Sequence, residues 1–93
     1  MLGWLKSLFS TTPRVLVSIP VADTFPNKEE LDARNAVTDS LDAKGFGKFV
    51  GAGGGFNQMD FEYEVADTEV AKQQIAAAMA EHLPGKQYDV KVE

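Results

Sequence analysis

The sequence contains no cysteine and only one histidine, His82. Without cysteine the chain has no disulfide bond, thiolate zinc site, iron–sulfur cluster or cysteine nucleophile, so packing alone must stabilise it. The absence of cysteine also fits a reducing compartment, and we expect a cytoplasmic protein. His82 lies near the end of a helical segment, where the helix dipole explains it, and no partner for a catalytic base is evident.

Positive charge is scarce as well. Nine Lys and Arg residues oppose 14 Asp and Glu residues, which gives a net charge of −5, and the cations are scattered along the chain. A phosphate backbone would be repelled, so nucleic acid is not an expected partner. At 93 residues with 44% hydrophobic content, the chain has the composition of one folded domain, and such a small domain has little material for a deep active-site cavity.

The sequence has no hydrophobic run long enough to span a bilayer. The first ten residues reach about half the required length, contain Lys6 and lack a signal-peptide cleavage site. Their apolar residues have helical spacing, so residues 1–12 are predicted to form a separate amphipathic segment with a short helix. We expect it to contact the domain, a second copy or a partner, and a membrane surface is less favoured because one lysine attracts anionic lipid weakly. The predicted contact residues are Trp4, Leu5, Leu8 and Phe9.

Residues 13–93 predict one domain with six elements in the order β-α-β-β-α-β. Strict alternation over residues 57–65 predicts a strand with one core face and one acidic face. Further strands are predicted at 14–19, at 46–50 on a sheet edge, and at 87–92. Helices are predicted from an Asn27 cap to about Lys44, and from a cap at Asp67 or Thr68 to Leu83.

This element order resembles the ferredoxin-like plait over residues 14–93, at the level of the fold only. The resemblance implies an α+β two-layer sandwich with an antiparallel sheet ordered 4-1-3-2, two helices on one face and an open second face. The first and third strands would be neighbours, with Arg14 near Glu64. Because many unrelated functions use this fold, it does not identify a chemistry.

The glycine-rich segment 51–55 joins two predicted strands, which favours a hairpin loop over a phosphate-binding loop. A loop centred on Gly53 places Phe46 opposite Asp60 on the open face, with Val50 opposite Phe56. A glycine bulge would instead turn Phe46 inward and leave Phe49 outside. The predicted partner-binding residues are Leu16, Phe46, Lys48, Val50, Phe56, Asp60, Glu62 and Glu64.

An exposed apolar patch with an acidic border is typical of a protein interface or a ligand groove. The favoured hypothesis is a small non-enzymatic module that binds a protein or itself through the open face, the second-strand edge or the N-terminal helix. A small-ligand-binding dimer, and an enzyme whose cleft forms only on oligomerisation, are the alternatives. No cofactor or metal is expected, because carboxylates two apart on a strand are separated by about 6.6 Å at Cα and no further ligands follow.

Overall fold

A computed structural model describes residues 12–93. The predicted N-terminal helix, with Trp4, Leu5, Leu8 and Phe9, lies outside the described residues. The elements are β1 (Arg14–Pro20), α1 (Lys28–Ala43), β2 (Lys48–Gly55), β3 (Gln58–Glu64), α2 (Thr68–His82) and β4 (Asp89–Val92). No helix within 12–93 combines the length and hydrophobicity that crossing a membrane requires.

The four strands form one antiparallel sheet in the order β2-β3-β1-β4. This confirms the α+β class and the predicted 4-1-3-2 order, with β2 and β4 at the two edges. Both helices contribute buried residues to the same core as β1 and β3, so they cover one face of the sheet. The other face, called the open face below, is not covered by α1 or α2.

The alternation in β3 has the burial that the sequence predicts. Met59, Phe61 and Tyr63 are fully buried, whereas Asp60, Glu62 and Glu64 between them are partly exposed on the open face. In β1, alternate residues are likewise buried: Val15, Val17 and Ile19. Two adjacent strands thus supply the sheet side of the core, and both have the period of two that pleated strands impose.

Both helices begin at the residues that the capping signals indicate. Asn27 and Glu30 form a reciprocal capping box, with the Asn27 side chain accepting from the Glu30 N–H at 2.8 Å and the Glu30 carboxylate from the Asn27 N–H at 2.9 Å. Asp67 caps α2 by accepting from two backbone N–H groups. The buried helix residues are Val37, Thr38, Leu41, Ala71, Ile75, Ala78 and Met79.

Tyr63 connects the sheet to α1. Its hydroxyl lies 2.8 Å from Asp42 Oδ1 and 3.2 Å from the Thr38 carbonyl oxygen. The rings of Phe46, Phe49 and Phe61 pack edge-on around Tyr63, with centroids 4.9, 5.4 and 6.0 Å away. The pKa of Tyr63 is raised above its usual value of 10.0, mainly because the hydroxyl is buried and secondly because it is hydrogen-bonded to Asp42.

The predicted hairpin loop at Gly51–Gly55 is wrong. These glycines are residues of β2 and pair with β3 as far as Gly55 opposite Gln58. The turn is formed by Phe56 and Asn57, both with positive φ (54° and 64°), as a two-residue type I′ turn requires. Two long-range backbone bonds stabilise it: Asn57 N–H to the Thr24 carbonyl at 3.0 Å, and Val21 N–H to the Asn57 carbonyl at 2.9 Å.

A β-bulge between Phe49 and Gly51 shifts the pairing of β2 by one residue. The predicted position of Phe46 on the open face is wrong, and Phe46 is only 7% exposed. β2 begins at Lys48, so Phe46 precedes the strand and does not follow its alternation; its N–H bonds to the Leu41 carbonyl oxygen at the end of α1, and its ring packs on Tyr63 in the core. The alternative register agrees with the structure for Phe46, which is inward, but not for Phe49, which it placed on the outer side. Phe49 pairs with Tyr63 on the helix-covered side but remains about half exposed, because its place near the sheet edge leaves one side of the ring uncovered.

The close packing of the segment before β2 generates a first prediction. A Cβ at Gly47 would overlap the Glu64 carbonyl oxygen, whereas a Cβ at Gly51 would enter open space. We expect Gly47→Ala to lower the free energy of unfolding by about 1–3 kcal/mol, because backbone must move to accept the methyl group. Gly51→Ala is the matched control and should change it by less than about 1 kcal/mol. Equal values in urea denaturation would contradict the packing at Gly47.

A second prediction concerns the Tyr63 hydroxyl. Tyr63→Phe should lower the free energy of unfolding by about 0.5–1.5 kcal/mol through loss of its hydrogen bond to α1. Tyr88→Phe is the control, since Tyr88 is only partly buried and its hydroxyl has no hydrogen bond among residues 12–93. The same urea titration measures both, and an equal effect of the two changes would argue against a stabilising Tyr63–Asp42 bond.

The raised pKa of Tyr63 adds a dependence on alkaline pH. Because the folded-state pKa exceeds the unfolded value, the stability linked to Tyr63 is complete below pH 10 and is lost as the pH rises toward the folded-state pKa. Wild type should therefore lose stability above pH 10 more steeply than Tyr63→Phe. Parallel stability curves for the two proteins would show that this tyrosine does not titrate differently on folding.

Candidate protein-binding surface

One end of the open face is a row of paired charges. Arg14 lies opposite Glu64 as predicted, with Nη2 and Oε1 3.2 Å apart, and Lys48 lies opposite Glu64 on the other side. Because the Arg14–Glu64 pair is substantially exposed, it contributes about 0.2–1 kcal/mol. These charges are accounted for by cross-strand pairing within the sheet.

The middle of the open face is acidic. Glu62 lies between Leu16 of β1 and Gly51 of β2. The pKa of Glu62 is raised, mainly because its carboxylate loses solvent and secondly because the Glu93 carboxylate is nearby. Asp60 lies opposite Ser18, which in turn pairs with Asp89 of β4. In the part of the chain that the structure describes, no group of three or more histidine or acidic side chains is arranged to hold a metal ion.

The predicted partner-binding residues do not form one surface. The open face brings together Leu16, Lys48, Asp60, Glu62 and Glu64. Phe46 is buried, Val50 is the unpaired residue of the bulge, and Phe56 is at the tip of the turn. To the open face β2 contributes Gly51, Gly53 and Gly55, and Phe46, which was expected there, is in the core.

The outer edge of β2 is the second candidate surface. The hydrogen-bonding direction of each residue follows from β3. Val65, directly after β3, donates its N–H to the Pro13 carbonyl before β1, so the odd-numbered residues of β3 bond to β1 and its even-numbered residues bond to β2. Gly51, Gly53 and Gly55, opposite Glu62, Asp60 and Gln58, therefore bond inward to β3. The alternation then directs the N–H and C=O groups of Ala52 and Gly54 outward, where no other strand within 12–93 pairs with them.

Exposed apolar side chains are concentrated at the two ends of β2. Six large hydrophobic residues are exposed in residues 12–93, and four belong to this region. Phe49 (45% exposed) and Val50 (40%) lie near the start of β2, and Phe56 (94%) follows its end. Phe25 (68%) packs beside Gly55, and Pro26 beside Gly54. We call Phe25, Phe49, Val50 and Phe56 the apolar flank.

Sequence reasoning identified Val50 and Phe56 as candidates, which the structure places at the bulge and in the turn, and it missed Phe25. The only signal for Phe25 is a large aromatic residue in a loop that has neither strand nor helix periodicity. Its place beside β2 depends on a contact between residues 30 positions apart, Phe25 and Gly55, which no local pattern reveals.

The β2 region also differs from the rest of the protein in charge. Residues 46–57 contain no Asp or Glu and one cation, Lys48, in a chain with a net charge of −5. In this acidic protein β2 is therefore a strip that adds no negative charge of its own, and the nearest carboxylates, Asp60, Glu62 and Glu64, lie one strand further in.

A cavity of about 380 Å³ opens at the end of the sheet near the Phe56–Asn57 turn. Its lining residues are Ser18, Pro20, Asn57, Gln58, Gln87, Tyr88 and Asp89. Most of these side chains are polar and exposed. The cavity has hydrogen-bonding groups but no buried charged side chain to orient a ligand.

The chain matches no protein-family model, and no curated protein is significantly similar to it.

Proposed function

We propose that this protein is a non-enzymatic binding module that accepts an extended strand from a partner protein along the outer edge of β2. The observation that carries the proposal is an eight-residue edge strand whose outward backbone groups have no partner among the described residues. Strand addition of this kind derives affinity from main-chain hydrogen bonds and specificity from flanking side chains.

The composition of β2 supports strand addition. Edge strands are usually protected by charged residues, proline, bulges or short length. β2 has no proline, its one charged residue is Lys48 at the start, and its bulge lies at Val50 near one end. The regular part, Gly51–Gly55, has only the methyl group of Ala52 as a side chain, so an incoming strand can approach without steric hindrance.

Arg34 stabilises this edge from α1. Its Nη1 donates to the Gly53 carbonyl oxygen at 2.9 Å. Because Gly53 already faces β3, the guanidinium occupies the second acceptor position of an inward-pointing carbonyl. The outward groups of Ala52 and Gly54 remain available, so the contact rigidifies β2 and still leaves its edge accessible.

The open face gives less support to an enzyme. Glu62 has a raised pKa, as a general acid requires, but it lies on a flat sheet with Glu93 as its acidic neighbour. A carboxylate acid needs a cleft that holds substrate against it. The small-ligand-binding dimer and the enzyme formed on oligomerisation stay alternatives. A cytoplasmic location stays a prediction.

The proposal predicts that a proline on the β2 edge abolishes partner binding. Ala52→Pro removes an outward N–H without removing a bond to β3, since proline is tolerated on edge strands. Val92→Pro is the matched control on the opposite edge of the sheet. Because the backbone of Glu93 bonds to Arg14 of β1, the N–H of the preceding residue, Val92, is directed outward from β4. The measurement is quantitative affinity capture from extract of the source cells. Proteins captured by wild type and by Val92→Pro should be captured in amounts at least about tenfold lower by Ala52→Pro.

Circular dichroism must first show that each variant is folded. If Ala52→Pro does not fold, Phe56→Ser replaces it, because Phe56 is almost fully exposed and its loss leaves the core intact. Undiminished capture by the β2 variants would refute the β2 site, and a selective loss with Val92→Pro would assign binding to β4.

A further inference from the structure

The two ends of β2 carry apolar side chains that complement each other under two-fold symmetry. We infer that the strand added to the β2 edge is β2 of a second copy, paired antiparallel to give one continuous eight-stranded sheet. This inference rests on the proposed function and names its partner. The two-fold axis would pass through the sheet at Ala52 or Gly53, the centre of the unblocked part of the edge.

The antiparallel arrangement brings opposite ends of β2 together. With the axis at Ala52 or Gly53, Phe49 and Val50 of one copy lie beside residues 54–57 of the other. That is where Phe56 follows the strand and where Phe25 and Pro26 pack against Gly55 and Gly54. The apolar flank of each copy thus covers that of the other, and the contact occurs twice, as an isologous interface requires.

The axis is perpendicular to the sheet, so the helix-covered sides of the two copies lie on the same side. Phe49 is on that side, opposite Tyr63. Pro26 lies over Gly54, which pairs with buried Met59 on the same side. The ring of Phe49 therefore approaches the Phe25–Pro26 loop of the second copy without crossing the sheet.

Charge selects this edge for self-association. Two copies each carrying −5 repel one another over most of their surface. Residues 46–57 contribute no negative charge, so the strands can approach there with least repulsion. The β4 edge is half as long and includes Asp89 and Lys91, which makes it a poorer surface for pairing.

The exposed apolar area indicates how strongly the two copies would associate. Judged from their exposed fractions, the six phenylalanine rings of two apolar flanks offer on the order of 800 Å². A specific interface buries at least about 1,000 Å², so backbone pairing must supply the remainder and the complex lies at the small end of the range. We therefore expect a dissociation constant in the micromolar range and a reversible monomer–dimer equilibrium.

Analytical ultracentrifugation from about 1 to 500 µM tests the equilibrium, since this range brackets a micromolar dissociation constant. Wild type should shift from 10.1 kDa to twice that mass. Ala52→Pro should remain monomeric, and Phe49→Ser should weaken association at least about tenfold. Val70→Ser is the matched control, because Val70 has nearly the same exposure as Phe49 but lies on α2. It should dimerise like wild type.

Cross-linking tests the symmetry, and the natural absence of cysteine gives a clean background. A residue on the axis meets its own copy at about 4.5–5.5 Å between Cα atoms, a separation that a disulfide spans. Either Ala52→Cys or Gly53→Cys should therefore form a covalent dimer on mild oxidation, whereas Val92→Cys should not.

The outcomes separate the two proposals. Wild type that stays monomeric throughout, or a dimer that Ala52→Pro leaves intact, overturns self-pairing through β2. A dimer that neither cysteine variant cross-links overturns the antiparallel register. If capture from extract still depends on the β2 edge, the binding function stands with a different protein as partner. If capture is independent of that edge as well, both proposals fail.

Discussion

The burial of one face of β3 is the interaction on which the rest of the structure depends. β3 is paired on both sides, and Met59, Phe61 and Tyr63 reach the core beneath both helices. Burial of each large apolar side chain stabilises the fold by about 1.5–3 kcal/mol, so exposing even one of the three would remove a large fraction of the net 5–15 kcal/mol typical of a domain. A slip of one residue would expose all three and bury three carboxylates.

The elements that could be predicted are those specified by local patterns. The period of two gave β1 and β3, and the caps at Asn27 and Asp67 gave the helix starts. The turn could not be predicted because glycine is the usual residue for positive φ. In the folded chain, of residues 51–57 only Gly55, Phe56 and Asn57 have positive φ, and contacts from Val21 and Thr24 hold the turn.

The face assigned to the residues of β2 and of the segment before it could not be predicted from local patterns either. Parity along β1 and β3 assigned Leu16, Asp60, Glu62 and Glu64 to the open face, and the structure agrees. For β2, the face of each residue depends on the count between turn and strand, and the bulge at Val50 changes that count by one. Phe46 is outside this count altogether, because β2 begins at Lys48 and Phe46 lies in the connection from α1, where its N–H bonds to the Leu41 carbonyl oxygen.

The short, charged β4 limits the size of the assembly proposed to form through β2. In an eight-stranded sheet made by joining two β2 strands, both outer borders are β4, and neither offers a glycine rim. Two-fold pairing uses the β2 edge of both subunits, so addition of a third subunit would require pairing through β4; the proposed assembly would therefore end at two subunits.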